Sequence, residues 1–466
     1  MKYESTHGRA PVLDFGDVLL TGLADDGGLY VPESWPALDL PATPLTYAEA
    51  AGAVMWPYVE GAIDRGDFEA MVDEAYATFR HPDVCPLVDL GNGLFVLELF
   101  HGPTLAFKDV ALQLVGRLFD HELTRRGQRS TIVVATSGDT GSAAIEACRG
   151  RDSLDIVVLH PAGRVSDVQR RQMTTVVAGN VHNVAVDGTF DDCQDMVKAL
   201  FADAAFRTDV RLAAMNSINW ARVMAQIVYY VTAERTLRET GVTAAAGAVD
   251  FAVPTGNFGN VLAGWAARNM GVPIGRLVLG SNSNDILTRW LATGVMEARD
   301  VHPTLSPSMD IQVSSNVERL LFELFDRDGA AVAEAMHEFR SDGRVDLGAD
   351  RLARAAEVFH GESFDDDETL DEITRTFERS GYLCDPHTAV GLAAARAARH
   401  DPSRPMVALA TAHPAKFPDA VETAVGLRPA LPDELADLFD RSEQYSSLPN
   451  DLAEVEAFVR AAVLPR

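Results

Sequence analysis

Lys108 reads as the one lysine in this chain on which solvent has no obvious claim. Only four lysines occur (Lys2, Lys108, Lys198, Lys416) against thirty-six arginines, and this one follows directly on Leu105-Ala106-Phe107. Apolar surroundings favour the neutral amine, and a neutral lysine is the nucleophile that forms a Schiff base with an aldehyde. A lysine that snorkels out of a helix start is the plainer alternative. The flanking residues favour burial. Gly102-Pro103-Thr104 breaks the chain, and Val110, Leu112, Leu114, Val115, Leu118 and Phe119 follow at helical spacing, which predicts Lys108 on the first turn of a buried helix.

Two loops carry complementary chemistry. Pro254-Thr255-Gly256-Asn257-Phe258-Gly259-Asn260 sets two glycines three apart between a strand and a helix, so that backbone N–H groups can converge on an anion at the helix N-terminus. It matches neither the GxxxxGK[ST] loop of nucleoside triphosphatases nor the GxGxxG of dinucleotide sites, and a tight turn also fits it. Ser137-Gly138-Asp139-Thr140-Gly141-Ser142 has the same placement, with hydroxyls and N–H groups for a carboxylate, or simply Ser and Thr capping a helix. Thr411 and His413 close a last strand at 406–410. Loops at the carboxyl ends of parallel strands meet at the ligand crevice. An amine, a phosphate cradle and a neutral hydroxyl for a ring nitrogen together describe a site for pyridoxal phosphate.

The elements that must hold these residues follow a βα pattern. Short β-branched runs at 131–136, 155–159, 181–186, 250–253, 276–279 and 406–410 alternate with helical stretches, which predicts parallel sheets covered on both faces. Residues 1–88 read as an N-terminal accessory domain with helices near 46–63 and 68–79, and 89–428 as the catalytic core. Within that core the pattern suggests a smaller subdomain at about 131–215. The acid-rich stretch at about 326–375 reads as a helical insertion, and 429–466 as a tail of one or two surface helices.

Bulk composition narrows the field. A chain of 466 residues with 47% hydrophobic residues has ample core for two or three packed units. A formal charge of -28, with no basic cluster interleaved with aromatics, argues against nucleic acid. Cys85, Cys148, Cys193 and Cys384 are scattered without metal-ligand spacing, so reduced thiols and no metal site are expected. No run has the length of a signal peptide or a membrane span, so the expectation is a cytoplasmic protein without membrane contact.

Taken in order, GLADDGGLYVPE, HGPTLAFKD, ATSGDTGSAA, VPTGNFGNVLAG, NSNDIL, SPSMDI, SSNVERLLFEL and TAHPAKF resemble the threonine synthase family in its longer bacterial and fungal form, from residue 3 to about 425. His7 departs from the pattern, which has arginine there. The resemblance implies a fold-type II (tryptophan synthase β-like) α/β enzyme that uses pyridoxal phosphate to convert O-phospho-L-homoserine and water into L-threonine and phosphate. It implies Lys108 as the catalytic and cofactor-bearing residue, with Gly256, Asn257, Phe258, Gly259 and Asn260 at the cofactor phosphate and Thr411 at the ring nitrogen. Ser137, Asp139 and Thr140 would receive the substrate carboxylate. Asn216, Ser217, Asn219 and Arg222 are expected at the substrate phosphate, since Arg grips phosphate bidentately; NSINW capping a helix while Arg222 pairs with surface acid is the other possibility. The resemblance leaves monomer and homodimer open. A serine or threonine dehydratase, or a homologue that binds the cofactor without turnover, are the competing readings.

Overall fold

The structure, a computed structural model, describes residues 1–243, 247–399 and 401–463. Two parallel sheets organise it. The larger runs Phe359–Ser363, Ile274–Ser281, Val249–Pro254, Met406–Ala410, Leu94–Glu98 and Leu87–Asp89, with only the last pair antiparallel. The smaller, all parallel, runs Ser446–Pro449, Val181–Asp187, Leu154–Pro161, Ser130–Ala135 and Leu212–Ala213. Every residue of Leu154–Pro161 is buried, as a strand covered by helices on both faces must be.

The helix Lys108–Arg126 joins the two sheets, entering from the strand Leu94–Glu98 and leaving into Ser130–Ala135. Thirteen of its residues are buried, which is why its apolar residues do not keep to one stripe. It packs on the helix Asp139–Cys148 at Gly116, where a Cβ would collide with the Ala147 carbonyl. That close approach fixes the start of one helix relative to the start of the other.

The N-terminal residues pair Tyr3–Ser5 with Tyr30–Pro32 and add the helices Tyr47–Val59 and Arg65–Tyr76, capped by Thr46 and Asp64. They share the main hydrophobic core with the helix Trp220–Glu239: Tyr3 and Tyr58 pack against Trp220 at 6.2 and 5.5 Å between ring centroids. The expected boundary at 88 falls inside the strand Leu87–Asp89 of the larger sheet.

Two expectations need correction. The acidic stretch 326–375 is not purely helical, because Phe359–Ser363 forms an edge strand beside Ile274–Ser281. The tail 429–466 is not only surface helix either: Ser446–Pro449 extends the smaller sheet, and Val455 and Val459 of the helix Leu452–Val463 are buried against it. Both strands are short, half-exposed edges whose pairing comes from the neighbour rather than from their own pattern. No helix of the described residues is long and apolar enough to cross a membrane.

Candidate active site

Lys108 is the first residue of its helix and is buried. Its Nζ lies 3.2 Å from Asp139 Oδ2 and donates to Ser308 Oγ at 3.4 Å. Burial lowers the pKa of the amine; Asp139 opposes this, while Lys416 and Arg222 reinforce it. The loop before it is clamped to the turn after the last strand, with Phe107 N–H on Thr411 O at 2.8 Å and His413 N–H on Leu105 O at 3.0 Å. Leu105 is held at φ 63° and Phe258, in the glycine loop, at φ 61°. A bulky residue in this left-handed region costs about 1–3 kcal/mol, so the surrounding packing over-determines both loops.

Asp139 begins the opposite helix. Burial would push its carboxyl up, but Lys108 and Lys416, with His387 and the Gln169 amide, hold it well below the usual range. Oδ1 accepts from Gln169 Nε2 at 2.9 Å and faces Lys416 Nζ at 3.0 Å. Its side chain is therefore committed to amines, and only its backbone N–H is left for the substrate carboxylate that sequence assigned to it. The N–H groups of Ser137, Asp139 and Thr140 and the hydroxyls of Ser137 and Thr140 have no partner among the described residues. Neither of those hydroxyls caps the turn; Thr136 does, accepting from Gly138 and Gly141 N–H, both at 2.9 Å.

The glycine loop lies against Ser308. A Cβ on Gly256 would press on Ser308 O at 3.1 Å and Met309 Cα at 3.3 Å, so only glycine lets the two backbones approach. The N–H groups from Gly256 to Asn260 find no acceptor among the described residues, and they open the helix Gly259–Asn269. Asn260 Oδ1 accepts from Tyr229 and Tyr230 hydroxyls at 2.5 and 2.9 Å, which leaves its buried Nδ2 unpartnered. The Thr411 hydroxyl is likewise without a partner among the described residues. Converging orphan donors at a helix N-terminus beside an amine biased toward neutrality fit the phosphate and aldehyde of pyridoxal phosphate.

Arg222 carries a second orphan. It is buried, its Nε has no acceptor, and no acid pairs with it among the described residues; burial brings its pKa down to about 10. Asn219 caps the helix Trp220–Glu239 through Ala221 N–H at 3.1 Å and donates to Leu19 O at 2.8 Å, so its Oδ1 and one amide proton are held by the fold. Asn216 is exposed, with Oδ1 accepting from Ile218 N–H at 3.3 Å. Ser217 is half-buried, and its carbonyl and that of Asn257 both accept from Asn316 Nδ2 at 3.1 Å, which ties this loop to the glycine loop.

Several residues here escaped sequence reasoning. Lys416 is wholly buried, so Lys108 is not the only lysine withdrawn from solvent. Ser308 Oγ lies 3.2 Å from Asp139 Oδ2, and its N–H donates to His387 Nε2 at 3.2 Å, while His387 Nδ1 is 2.7 Å from Asp385 Oδ2. A cavity of about 540 Å³ lined by Arg80, His101, Leu105, His413 and Pro432 adjoins the clamp but touches none of the expected site residues.

Three family models cover the chain: threonine synthase N terminus on residues 2–76, pyridoxal-phosphate dependent enzyme on 86–412, and threonine synthase C-terminal on 388–459. The chain is 54% identical to the threonine synthase of Pseudomonas aeruginosa, over 98% of both. A crystal structure of pyridoxal-phosphate-bound threonine synthase from Brucella melitensis superposes with a TM-score of 0.96 at 51% identity, covering 100% of each chain. The yeast threonine synthase structure gives 0.93 at 38% identity, covering 99% of this chain and 98% of that one. By the three family models and by identity over nearly its full length, the chain belongs to the threonine synthase family of pyridoxal-phosphate-dependent enzymes.

Proposed function

We propose that the chain converts O-phospho-L-homoserine and water into L-threonine and phosphate, the last step of threonine biosynthesis, acting in the cytoplasm as a monomer or homodimer. The observation that carries this reading is Arg222. A buried guanidinium without an acid partner among the described residues, close enough to lower the pKa of Lys108, is costly unless an anion comes to it. The glycine loop supplies one anion site for the cofactor; Arg222, with Ser217 and Asn216 on the adjoining loop, supplies the second that a γ-phosphorylated substrate needs.

The roles follow from the donors. Lys108 would hold the cofactor, with Gly256 to Asn260 at its phosphate and Thr411 at its ring nitrogen. When bound, pyridoxal phosphate supplies an aldehyde for tethering and a ring that spreads the negative charge left when a proton leaves carbon. The Lys108 amine moves protons at the substrate Cα and Cβ. Loss of a Cβ proton expels the γ-phosphate, water adds at Cβ, and protons return to Cγ and Cα, which balances the reaction as water in and phosphate out. The free N–H groups and hydroxyls of the 137–140 loop hold the substrate carboxylate, and Arg222 holds the departing phosphate. Arg222 puts a positive charge with no acid partner among the described residues into an acidic chain, which draws an anionic substrate inward.

The test is product analysis of the purified, cofactor-loaded protein. Equal release of threonine and phosphate from O-phosphohomoserine supports the reading. Formation of 2-oxobutyrate from threonine, with no phosphate released, would make the chain a dehydratase; cofactor binding without any turnover would make it a binding homologue.

A further inference from the structure

Lys416 stands in the 3₁₀ turn Pro414–Lys416 that follows the last strand of the larger sheet, with 0% of its surface exposed. Its Nζ meets Thr104 O at 2.7 Å, Gln172 Oε1 at 2.9 Å and Asp139 Oδ1 at 3.0 Å. An ammonium has three protons to donate, and these three acceptors fix its orientation. They also come from three places: the strained loop before Lys108, the helix Asp167–Thr174, and the start of the helix Asp139–Cys148. Two of the chain's four lysines thus converge on one carboxylate, one on each oxygen.

A buried carboxylate needs a cation that does not leave. Lys108 cannot be that cation. If it takes up an aldehyde, its nitrogen would bond to the aldehyde carbon with one water lost, and a three-proton ammonium would become a nitrogen that carries one proton at most. Gln169 is neutral, and Ser308 offers only a hydroxyl. Lys416 is the amine on Asp139 that stays unbonded, held in one geometry by three acceptors.

We propose that Lys416 is a positioning residue, the standing counter-ion of Asp139, holding that carboxylate ionised with its Oδ2 aimed at the Lys108 nitrogen so that Lys108 is free to work as a neutral amine. The proposal rests on the reading of Lys108 as the cofactor-bearing residue. The charged groups facing Lys108 are Asp139, Lys416 and Arg222, with His387 facing Asp139 from the helix Pro386–Ala397 and Asp109 turned away onto Thr104. Neutralising Lys416 removes a repulsion from Lys108 and leaves Asp139 wholly to it. Both changes keep Lys108 protonated to higher pH.

The experiment follows pyridoxal phosphate uptake by the apoprotein, by absorbance, as a function of pH, with borohydride trapping and mass spectrometry to locate the adduct. Lys416→Gln keeps a donor for Thr104 O, and its uptake profile should move to higher pH by roughly one unit, while Lys416→Arg should stay near the parent. A folded Lys416→Gln protein with an unmoved profile overturns the proposal. The parent protein provides a measurement that no folding defect can obscure: its inflection must lie below the ordinary lysine value, and one at or above it also overturns the proposal. An adduct on residue 108 with an unmoved profile defeats only the role of Lys416, whereas no adduct on residue 108 defeats the cofactor reading as well.

Discussion

Lys108 Nζ and Asp139 Oδ2 stand 3.2 Å apart although each is delivered by a different sheet, the lysine after the strand Leu94–Glu98 of the larger and the aspartate after Ser130–Ala135 of the smaller. The reactive amine acquires its electrostatic setting only when the two sheets are docked. Gly116, the contact point of their two helices, is the hinge of that arrangement in packing terms.

Arg222 separates binding from stability. Replacing it with Met removes an unpaired buried charge, so the melting temperature should stay level or rise, with a gain of about 1 kcal/mol or less. The same substitution should raise KM for the phosphorylated substrate by roughly 10- to 100-fold, the worth of one to two charge-assisted hydrogen bonds, while the cofactor absorbance stays unchanged. Steady-state kinetics beside a thermal melt reads both. An unchanged KM removes Arg222 from the substrate site.

Asp109 should impose a pH dependence on stability. Burial, against the hydrogen bonds from Thr104 N–H and Oγ1, pushes its carboxyl up to about 6 from 3.8. The folded state then holds a proton that the unfolded chain has lost, so stability falls as pH rises between these values and stays lower above them, by on the order of 2–3 kcal/mol. Asp109→Asn abolishes this fall. The difference in unfolding free energy between parent and variant should grow from pH 4 to pH 6 and then level off; a difference that does not vary with pH refutes the assignment.

His7 clasps Glu318 at 3.3 Å across to the helix Val317–Leu324. The Glu318 interaction raises the imidazole pKa despite burial. A raised histidine contributes stability below its ordinary value and loses it as pH climbs through the folded-state value. His7→Gln should flatten the melting temperature between pH 6 and pH 8, and His7→Arg should keep the clasp closed at both.

Gly256→Ala probes the cradle. The added methyl meets Ser308 O and Met309 Cα, both backbone atoms, and displaces Ser308 from its place between Lys108 and Asp139. Cofactor affinity, measured by equilibrium dialysis of the apoprotein, should fall about tenfold, equivalent to roughly 1.4 kcal/mol, with little change in secondary structure by circular dichroism.

Much of this was legible in the sequence because it rested on local chemistry. The strand 406–410 and the start of the helix at Lys108 lie where periodicity and chain-breaking residues put them. The rest depended on partners distant in the chain. Nothing near Ser446 announces a strand, since Ser446–Pro449 exists only through Val184 to Asp187. Lys416 sits between Ala415 and Phe417, an apolar setting like that of Lys108, and the same reasoning applied to it would have found its burial. Its meeting with Asp139, 277 positions earlier, has no sequence signature. Asn219 shows the other reading that its segment allowed: its Oδ1 caps its own helix.

The most direct test is to reduce the cofactor-loaded protein with borohydride and locate the label by peptide mass spectrometry. The account predicts a single pyridoxyl adduct on Lys108, and none in Lys108→Ala. A label on Lys416, or on no lysine at all, would contradict it.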